Sequence, residues 1–460
     1  MDEFDLVAIG GGNGGYTAAI RATQLGLSAA IIERDKIGGT CLHRGCIPTK
    51  AWLETAETLS RARSAAEFGV TINNVALDFP AMVDRQHSIV ETLHKSLRSV
   101  VQKHRIEIIE GQARILSPTS IAVGQRVITA KNIVIAAGSQ PKEIPGLETD
   151  GHHILNSDHL LQLRQPPASI IIVGAGAIGC EFASFFLDIG ARVTLIEMLP
   201  TVIPLEDPDL GRALGRILAA RGANVFTAAR VLPDRTRVYD DRVEITLDHE
   251  GKEKQVTGQV VLVSVGRQAA TDHLGLENTR VGLERAFIQV DRMYHTSEPT
   301  VYAVGDCIGG LLLAHVASAE GLIAAEAIAG KGPQPLDYNR VPRVTYSRPQ
   351  VASVGLTEQQ ARDSGRTVKA QRFSFKYNAM ALIRGQPEGF VKIVYDADSN
   401  DLLGAHIIGE GASELVSEAA LARLLEASAW ELGTSIHPHP SLSETLGEAA
   451  QLSAGTSIYR

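Results

Sequence analysis

The chain is predicted to be an α/β protein with two Rossmann-like dinucleotide-binding domains and a C-terminal α+β domain. Three observations predict this. A strand, a glycine-rich turn and a helix open the chain. The same unit recurs some 160 residues later with the same internal spacing. From Asp337 onward the pattern becomes that of an antiparallel sheet followed by helices.

Leu6 to Ile9 reads as a buried strand, Gly10-Gly11-Gly12-Asn13-Gly14-Gly15 as the turn, and Tyr16 to Leu25 as a helix stopped by Gly26. A second strand, Ala29 to Ile32, ends in Glu33. Gly10, Gly12 and Gly15 form the G-x-G-x-x-G pattern in a strand–turn–helix setting. There the backbone can approach a pyrophosphate at a helix N-terminus, and the strand-ending acid takes ribose hydroxyls. In the second copy, Ile170 to Val173 is the strand, and Gly174, Gly176 and Gly179 shape the turn. Cys180 to Asp188 is the helix, and Ala191 to Ile196 is the second strand, ending in Glu197. The acid falls 23 residues after the first glycine in both copies. A lone pattern is weak, but two with the same spacing to an acid are specific. Two such sites imply two dinucleotides, one flavin and one nicotinamide in a hydride-transfer protein.

Asn132 to Ala136, Val260 to Val265 and Thr300 to Val304 read as further strands leading into turns at Ala137-Gly138, Gly266-Arg267 and Gly305-Asp306. Lys331-Gly332-Pro333-Gln334-Pro335 reads as a linker. Beyond it, Arg343 to Val354, Val368 to Phe375, and Gly389 to Tyr395 with Leu402 to Ile408 read as an antiparallel sheet. Ala412 to Ser428 and Leu442 to Leu452 are predicted helices.

Composition sets limits. The 460 residues suggest about three domains. They are 44% hydrophobic and 21% charged, with 43 glycines, which suits nucleotide-binding folds rich in tight turns. The net charge of −8, with no long basic block, argues against nucleic acid and anionic membrane as partners. Four cysteines do not make a secreted disulfide scaffold. The acidic start, Met1-Asp2-Glu3-Phe4-Asp5, lacks the pattern of a signal peptide, and the longest apolar runs are strand-sized. A cytoplasmic location is expected.

Two strings carry chemistry. Cys41-Leu42-His43-Arg44-Gly45-Cys46 sets two cysteines five positions apart. In an unbroken helix their Cα atoms would lie about 8.7 Å apart, whereas a disulfide rarely spans more than about 7 Å. If they bond, the backbone must leave helical geometry, and Gly45 eases that. Buried thiols and metal ligation remain the plainer readings of such a pair. Cys180 and Cys307 are isolated, however, and offer no second ligand pair, so no metal site is expected. The other string is His437-Pro438-His439-Pro440-Ser441-Leu442-Ser443-Glu444.

Taken with Gly38-Gly39-Thr40 before the cysteines, Lys50 after them, Val301 to Asp306, and Leu313 to Gly321, these strings resemble the flavin-dependent disulfide reductases from end to end. Within that class the dihydrolipoyl dehydrogenase family is the most similar. The resemblance implies FAD, NAD and a redox-active disulfide. It implies an FAD domain over 1–145, an NAD domain over 146–267, a segment completing the FAD domain over 268–336, and a dimerisation domain over 337–460. Cys46 would be the charge-transfer thiolate and Cys41 the interchange thiol. Lys50 would sit by the flavin with Glu181 as its carboxylate partner. His439, rather than its neighbour His437, would be the acid–base, supplied across a homodimer and oriented by Glu444. FAD would be held by Gly10, Gly12, Gly15, Glu33, Gly39, Thr40, Lys50, Ala113, Gly138, Asp306 and Ala314. NAD would be held by Gly174, Gly176, Gly179, Glu197, Val231 and Gly266.

The resemblance also separates substrates. Similar mercuric reductases carry a C-terminal cysteine pair, whereas the last cysteine here is Cys307. Glutathione reductases usually replace the second acid and add arginines for the NADPH 2′-phosphate. Glu197 would repel that phosphate, which favours NAD. Soluble transhydrogenases lack the cysteine pair. The implied activity is oxidation of protein-bound dihydrolipoamide with reduction of NAD+, serving lipoyl-bearing proteins of 2-oxoacid dehydrogenase complexes or the glycine-cleavage carrier. The alternatives are an FAD-dependent reductase of another small disulfide, and a flavin-binding assembly subunit with little turnover. Departures from the family pattern are His43 where Asn is usual, Arg348 and Gln350 flanking Pro349, and Cys307 after Gly305-Asp306.

Overall fold

Parallel strands need long crossovers, so the strand–helix–strand units of this sequence fold into parallel sheets with their ligand-bearing turns at the carboxyl ends. A computed structural model of the chain describes residues 2–459. It separates into two compact units, one of residues 1–52, 78–142 and 266–336, the other of residues 53–77, 143–265 and 337–460.

In the first unit, the sheet order is Glu107–Glu110, Ala29–Glu33, Asp2–Ile9, Arg126–Ile135, Ser120–Val123, Ala113–Ser117, and Val301–Ala303 also pairs with Arg126–Ile135. The pairings through Glu107–Glu110, Ala29–Glu33, Asp2–Ile9, Arg126–Ile135 and Val301–Ala303 are parallel. Their carboxyl ends lead into Gly10, Glu33, Ala136 to Gly138, and Gly305-Asp306, which is why motifs far apart in the chain meet at one end of the sheet. The helices Asn13–Gln24 and Ala314–Ile328 pack on each other.

In the second unit, a five-stranded parallel sheet runs Asn224–Phe226, Arg192–Ile196, Ser169–Val173, Val260–Val263, Ile154–Leu155. An antiparallel flap of Ala229–Val231, Arg237–Val238, Val243–His249 and Lys252–Gly258 lies beside it in sequence. A separate antiparallel sheet runs Arg343–Thr345, Gln350–Gly355, Leu402–Gly409, Phe390–Asp396, Val368–Ser374. Its Ala352, Val354, Phe373, Val391, Ile393, Ala405 and Ile407 face a core closed by the helices Ala412–Leu424 and Glu444–Ala454.

The structure corrects several predicted elements. The segment Arg343 to Val354, expected to belong to an antiparallel sheet, supplies two antiparallel strands of it, with Arg343 opposite Ser353 and a turn containing Pro349 between them. A proline cannot donate to the ladder, so the strand cannot run through it. The helix expected over Ala412 to Ser428 ends at Leu424. Glu426 takes a positive φ, and Ser428 caps a new helix, Ala429–Thr434, in a reciprocal pair with Glu431. The 25-residue helix Phe79–Lys103 has no predicted counterpart. The signals for it are in the chain, since Asp78 caps it through the Ala81 amide and Met82, Val83, Gln86, Val90, Leu97 and Val101 recur at helical spacing along one face, but they were not read. No described helix is long and apolar enough to cross a membrane.

Candidate functional site

The cysteine loop breaks at Gly45, the residue that eases a departure from helical geometry. A short helix, Gly39–Arg44, carries Cys41; the chain leaves helical geometry at Gly45; and the 18-residue helix Cys46–Arg63 begins at Cys46. A Cβ at Gly45 would lie 3.0 Å from the Thr40 carbonyl oxygen, so the bend is closed tightly on itself. Both cysteines are free thiols. A hydrogen bond with Cys46, together with burial, pushes the Cys41 thiol well above its ordinary pKa, and Lys50 opposes this by charge. Cys46, as the first residue of a long helix, sits in the positive end of the helix dipole, which favours a thiolate there. Exposure alone ranks the pair the other way from an open interchange thiol: Cys46 is exposed and Cys41 half-buried. His43 is tied down, its Nε2 2.9 Å from the Ile37 carbonyl oxygen, which His94 Nδ1 also meets at 3.1 Å. The two rings pack edge-on, and burial lowers the His43 pKa.

The two glycine-rich turns are copies in three dimensions. Gly10 and Gly174 have φ of 106° and 100°. A Cβ at Gly15 would lie 1.8 Å from the Gly10 carbonyl oxygen, and one at Gly179 would lie 1.9 Å from that of Gly174. The first and third glycines are therefore required by the turn itself. The middle ones are not: Gly12 would meet only Gly39 Cα at 3.9 Å, and Gly176 would meet nothing within 4 Å. Each is the N-cap of a helix, Asn13–Gln24 or Ala177–Ile189, with no side chain capping it. This leaves open backbone at a helix N-terminus, the arrangement that takes a pyrophosphate. The acids match too. Glu33 accepts the Gly11 and Asp35 amides at 2.7 and 2.8 Å, and Glu197 accepts the Ala175 and Leu199 amides at 2.8 Å each. A carboxylate has about four lone-pair sites, so both retain capacity for a ribose hydroxyl. The two turns thus fit dinucleotides.

Gly39, with φ 61°, lies against the first turn; a Cβ there would be 2.8 Å from Gly12 Cα. Thr40 follows it, half-buried. Ala113 is buried in the first sheet, so its side chain serves the core. Asp306 accepts the Ser139 hydroxyl at 2.5 Å, and Arg267 Nε donates to that same hydroxyl at 2.7 Å. Ser139 and Arg267 were not among the predicted site residues, although Gly138 and Gly266 beside them were. Ala314 begins a 15-residue helix. Val231 is half-buried on the flap. Gly266 falls in the first unit, where its carbonyl oxygen accepts the Lys142 amide at 3.0 Å. Cys307 is fully buried, donates toward the Val304 carbonyl oxygen, and is pushed up by burial to about 12. Glu181 is buried in the helix Ala177–Ile189 and accepts the Tyr346 amide at 2.9 Å.

The closing string separates its two histidines. His437, 9% exposed in its side chain, is 2.8 Å from Glu418 Oε1, and this contact raises its pKa against the effect of burial. A Cβ at Gly447 would lie 2.6 Å from its Nδ1, so His437 is wedged against the helix Glu444–Ala454. His439 is open, 76% exposed, with Nδ1 2.8 Å from Glu444 Oε1. Burial works to raise the Glu444 pKa, but the Ser441 amide and His439 outweigh it and hold the carboxyl below its ordinary value. An imidazole with one nitrogen on a carboxylate and the other free is built to take and return a proton. Among the described residues there is no cluster able to hold a metal ion.

Residues 4–321 match the family described as pyridine nucleotide-disulphide oxidoreductase, and residues 341–450 match that family's dimerisation domain. The chain is 44% identical to a dihydrolipoyl dehydrogenase of Bacillus subtilis, with 99% of each chain covered. It is 42% identical to one of Chlorobaculum tepidum, with 97% of this chain and 96% of that one covered. Among solved structures, LpdA of Mycobacterium tuberculosis superposes with a TM-score of 0.89 at 26% identity, over 98% of this chain and 99% of that one. The HOCl-induced flavoprotein disulfide reductase RclA of Escherichia coli gives 0.87 at 28% identity, over 98% and 100%.

Proposed function

The chain belongs to the pyridine nucleotide-disulphide oxidoreductases, among the dihydrolipoyl dehydrogenases, and on that premise we propose that it oxidises the dihydrolipoyl arm of a partner protein and reduces NAD+. The hydrogen-bonded cysteine pair broken at Gly45 is the observation that carries this reading. The family uses FAD and NAD(H), and the C-terminal domain is its dimerisation domain, so the enzyme is a homodimer. FAD would be held by the Gly10 turn, Glu33, Gly39, Thr40, Lys50, Ala113, Gly138, Asp306 and Ala314. NAD would be held by the Gly174 turn, Glu197, Val231 and Gly266. Bound FAD and NAD+ supply an acceptor for the electron pair and its onward transfer as hydride.

The protein's own part is thiol–disulfide exchange. His439, held by Glu444, removes the proton from a dihydrolipoyl thiol. The resulting thiolate attacks Cys41 Sγ of a Cys41–Cys46 disulfide. That bond breaks, and its electron pair leaves on Cys46, whose position at a helix N-terminus stabilises the negative charge. The second dihydrolipoyl thiol then displaces Cys41, giving up its proton to the departing sulfur; the lipoyl disulfide closes, and the enzyme is left with a Cys41 thiol, a Cys46 thiolate and the first proton on His439. Lys50 adds a positive charge beside the pair. His439 is supplied by the second subunit. The partners are lipoyl-bearing proteins of 2-oxoacid dehydrogenase complexes or the glycine-cleavage carrier, in the cytoplasm.

Comparing turnover with dihydrolipoamide, glutathione disulfide and mercuric ion tests the reading. Preference for dihydrolipoamide with NAD+ supports it; a higher kcat/KM with either of the others overturns it.

A further inference from the structure

One row of side chains crosses every strand of the C-terminal sheet. In register, Arg343 faces Ser353, Ser353 faces His406, His406 faces Lys392, and Lys392 faces Arg372. Because side chains alternate on a pleated sheet, this row lies on the face opposite the helix-covered core residues Ala352, Ile393 and Ile407. Three residues of the string Glu206-Asp207-Pro208-Asp209 meet it. Glu206 accepts Arg343 at 3.0 Å and also Ser353. Asp207 accepts Lys392 at 3.0 Å on both oxygens, and Asp209 accepts Lys392 at 2.8 Å and also Arg372. Glu358 adds a third carboxylate to Lys392 at 2.8 Å. Lys392 and Asp207 are 2% and 1% exposed.

The acidic string belongs to the segment that leaves Glu197. Between them, Ile203 donates its amide to the Ala175 carbonyl oxygen at 2.7 Å, inside the second glycine-rich turn. It does so at φ 43°, in the left-handed region that a buried β-branched residue rarely adopts. Asp207 caps the helix Pro208–Ala220 through the Asp209 amide, and that helix presents Gly211, where a Cβ would lie 2.4 Å from the Val202 carbonyl oxygen. The segment is therefore fastened at one end to the nucleotide turn and at the other to the charged row, with close backbone packing between. A residue strained at φ 43° persists only where its surroundings over-determine it.

We propose that the row centred on Lys392 is a positioning device for nicotinamide nucleotide binding: through Asp207, Gly211 and Ile203 it holds the Ala175 turn and Glu197 in their binding geometry. The proposal rests on the reading of that turn as the NAD site. Its elements are the C-terminal sheet, the helix Pro208–Ala220 and the second dinucleotide fold, all within one compact unit.

The test uses the FAD-loaded dimer, with NAD+ affinity by calorimetry and amide exchange at Ile203 as readouts. Lys392→Met leaves buried carboxylates uncompensated and risks misfolding, so Asp207→Asn, which keeps the helix cap, and Gly211→Ala, which leaves the row intact, accompany it. Val416→Ala, a cavity in the same domain's core, is the control for lost stability alone. The expected result is NAD+ binding about tenfold weaker in Asp207→Asn and Gly211→Ala, with faster exchange at Ile203 and unchanged FAD content. Val416→Ala should lower Tm without either change. Wild-type affinity and exchange in both variants, or equal losses in Val416→Ala, would overturn the proposal. If the wild-type dimer itself fails to bind NAD+, it is the nucleotide reading of the turn that falls.

Discussion

His439 Nδ1 lies 2.8 Å from Glu444 Oε1, and the imidazole around that contact is 76% exposed. Two residues earlier, His437 makes an equally short contact with Glu418 but is wedged against Gly447. One string thus holds two histidine–carboxylate pairs, one open to a substrate and one folded into the domain.

The open pair predicts a kinetic split. A positioned base is worth on the order of 10²–10⁴ in rate. His439→Gln should lower dihydrolipoamide oxidation by that factor and leave NADH-driven flavin reduction unchanged, as stopped-flow absorbance can show. Glu444→Gln should cost less, because the ring keeps its free nitrogen. Mixed dimers of His439→Gln with Cys41→Ser subunits should regain activity. Heterodimers that stay inactive would return the base to its own subunit.

The cysteine pair predicts distinct spectra. Two-electron reduction should produce a long-wavelength thiolate–flavin absorbance. Cys46→Ser should abolish it, and Cys41→Ser should keep it, because Cys46 begins the helix that stabilises its charge. The reverse outcome would exchange the two roles.

The second turn predicts cofactor choice. Glu197 is buried, so a facing 2′-phosphate should cost roughly 2–4 kcal/mol, read as kcat/KM for NAD+ over NADP+. Gly176→Ala meets no neighbour and should leave stability within about 0.5 kcal/mol while weakening NAD+ binding. Gly179→Ala, directed into the Gly174 carbonyl, should fail to fold properly. Equal efficiency with the two nucleotides would remove Glu197 from the site.

The folded pair predicts a pH-dependent stability. The Glu418 contact raises the His437 pKa above its ordinary value, and burial only partly offsets it. Such a group contributes stability that is complete below its unfolded pKa, near 6.5, and lost as pH rises through the higher folded value. The Tm deficit of His437→Gln should therefore be largest near pH 5.5 and shrink toward alkaline pH. A deficit independent of pH would mean that His437 acts only by packing.

Local patterns determined much of this protein. The third glycine of each turn is dictated by a backbone clash with the first, five residues back, and the acid 23 positions after the first closes the same βαβ unit, so both cradles are legible in the chain. The break at Gly45 and the reach of Glu444 to His439 are likewise matters of a few residues. Tertiary structure decided what those patterns do not span. Ser139 and Arg267 come to Asp306 from strands far apart in sequence. His437 was separated from His439 by Glu418 and Gly447 on two other helices. The row from Arg343 to Arg372 draws one residue from each of five strands, and in every strand at least one sequence neighbour of that residue is apolar. Cross-strand register, which one-dimensional periodicity does not encode, sets those five side chains in line opposite a single acidic string.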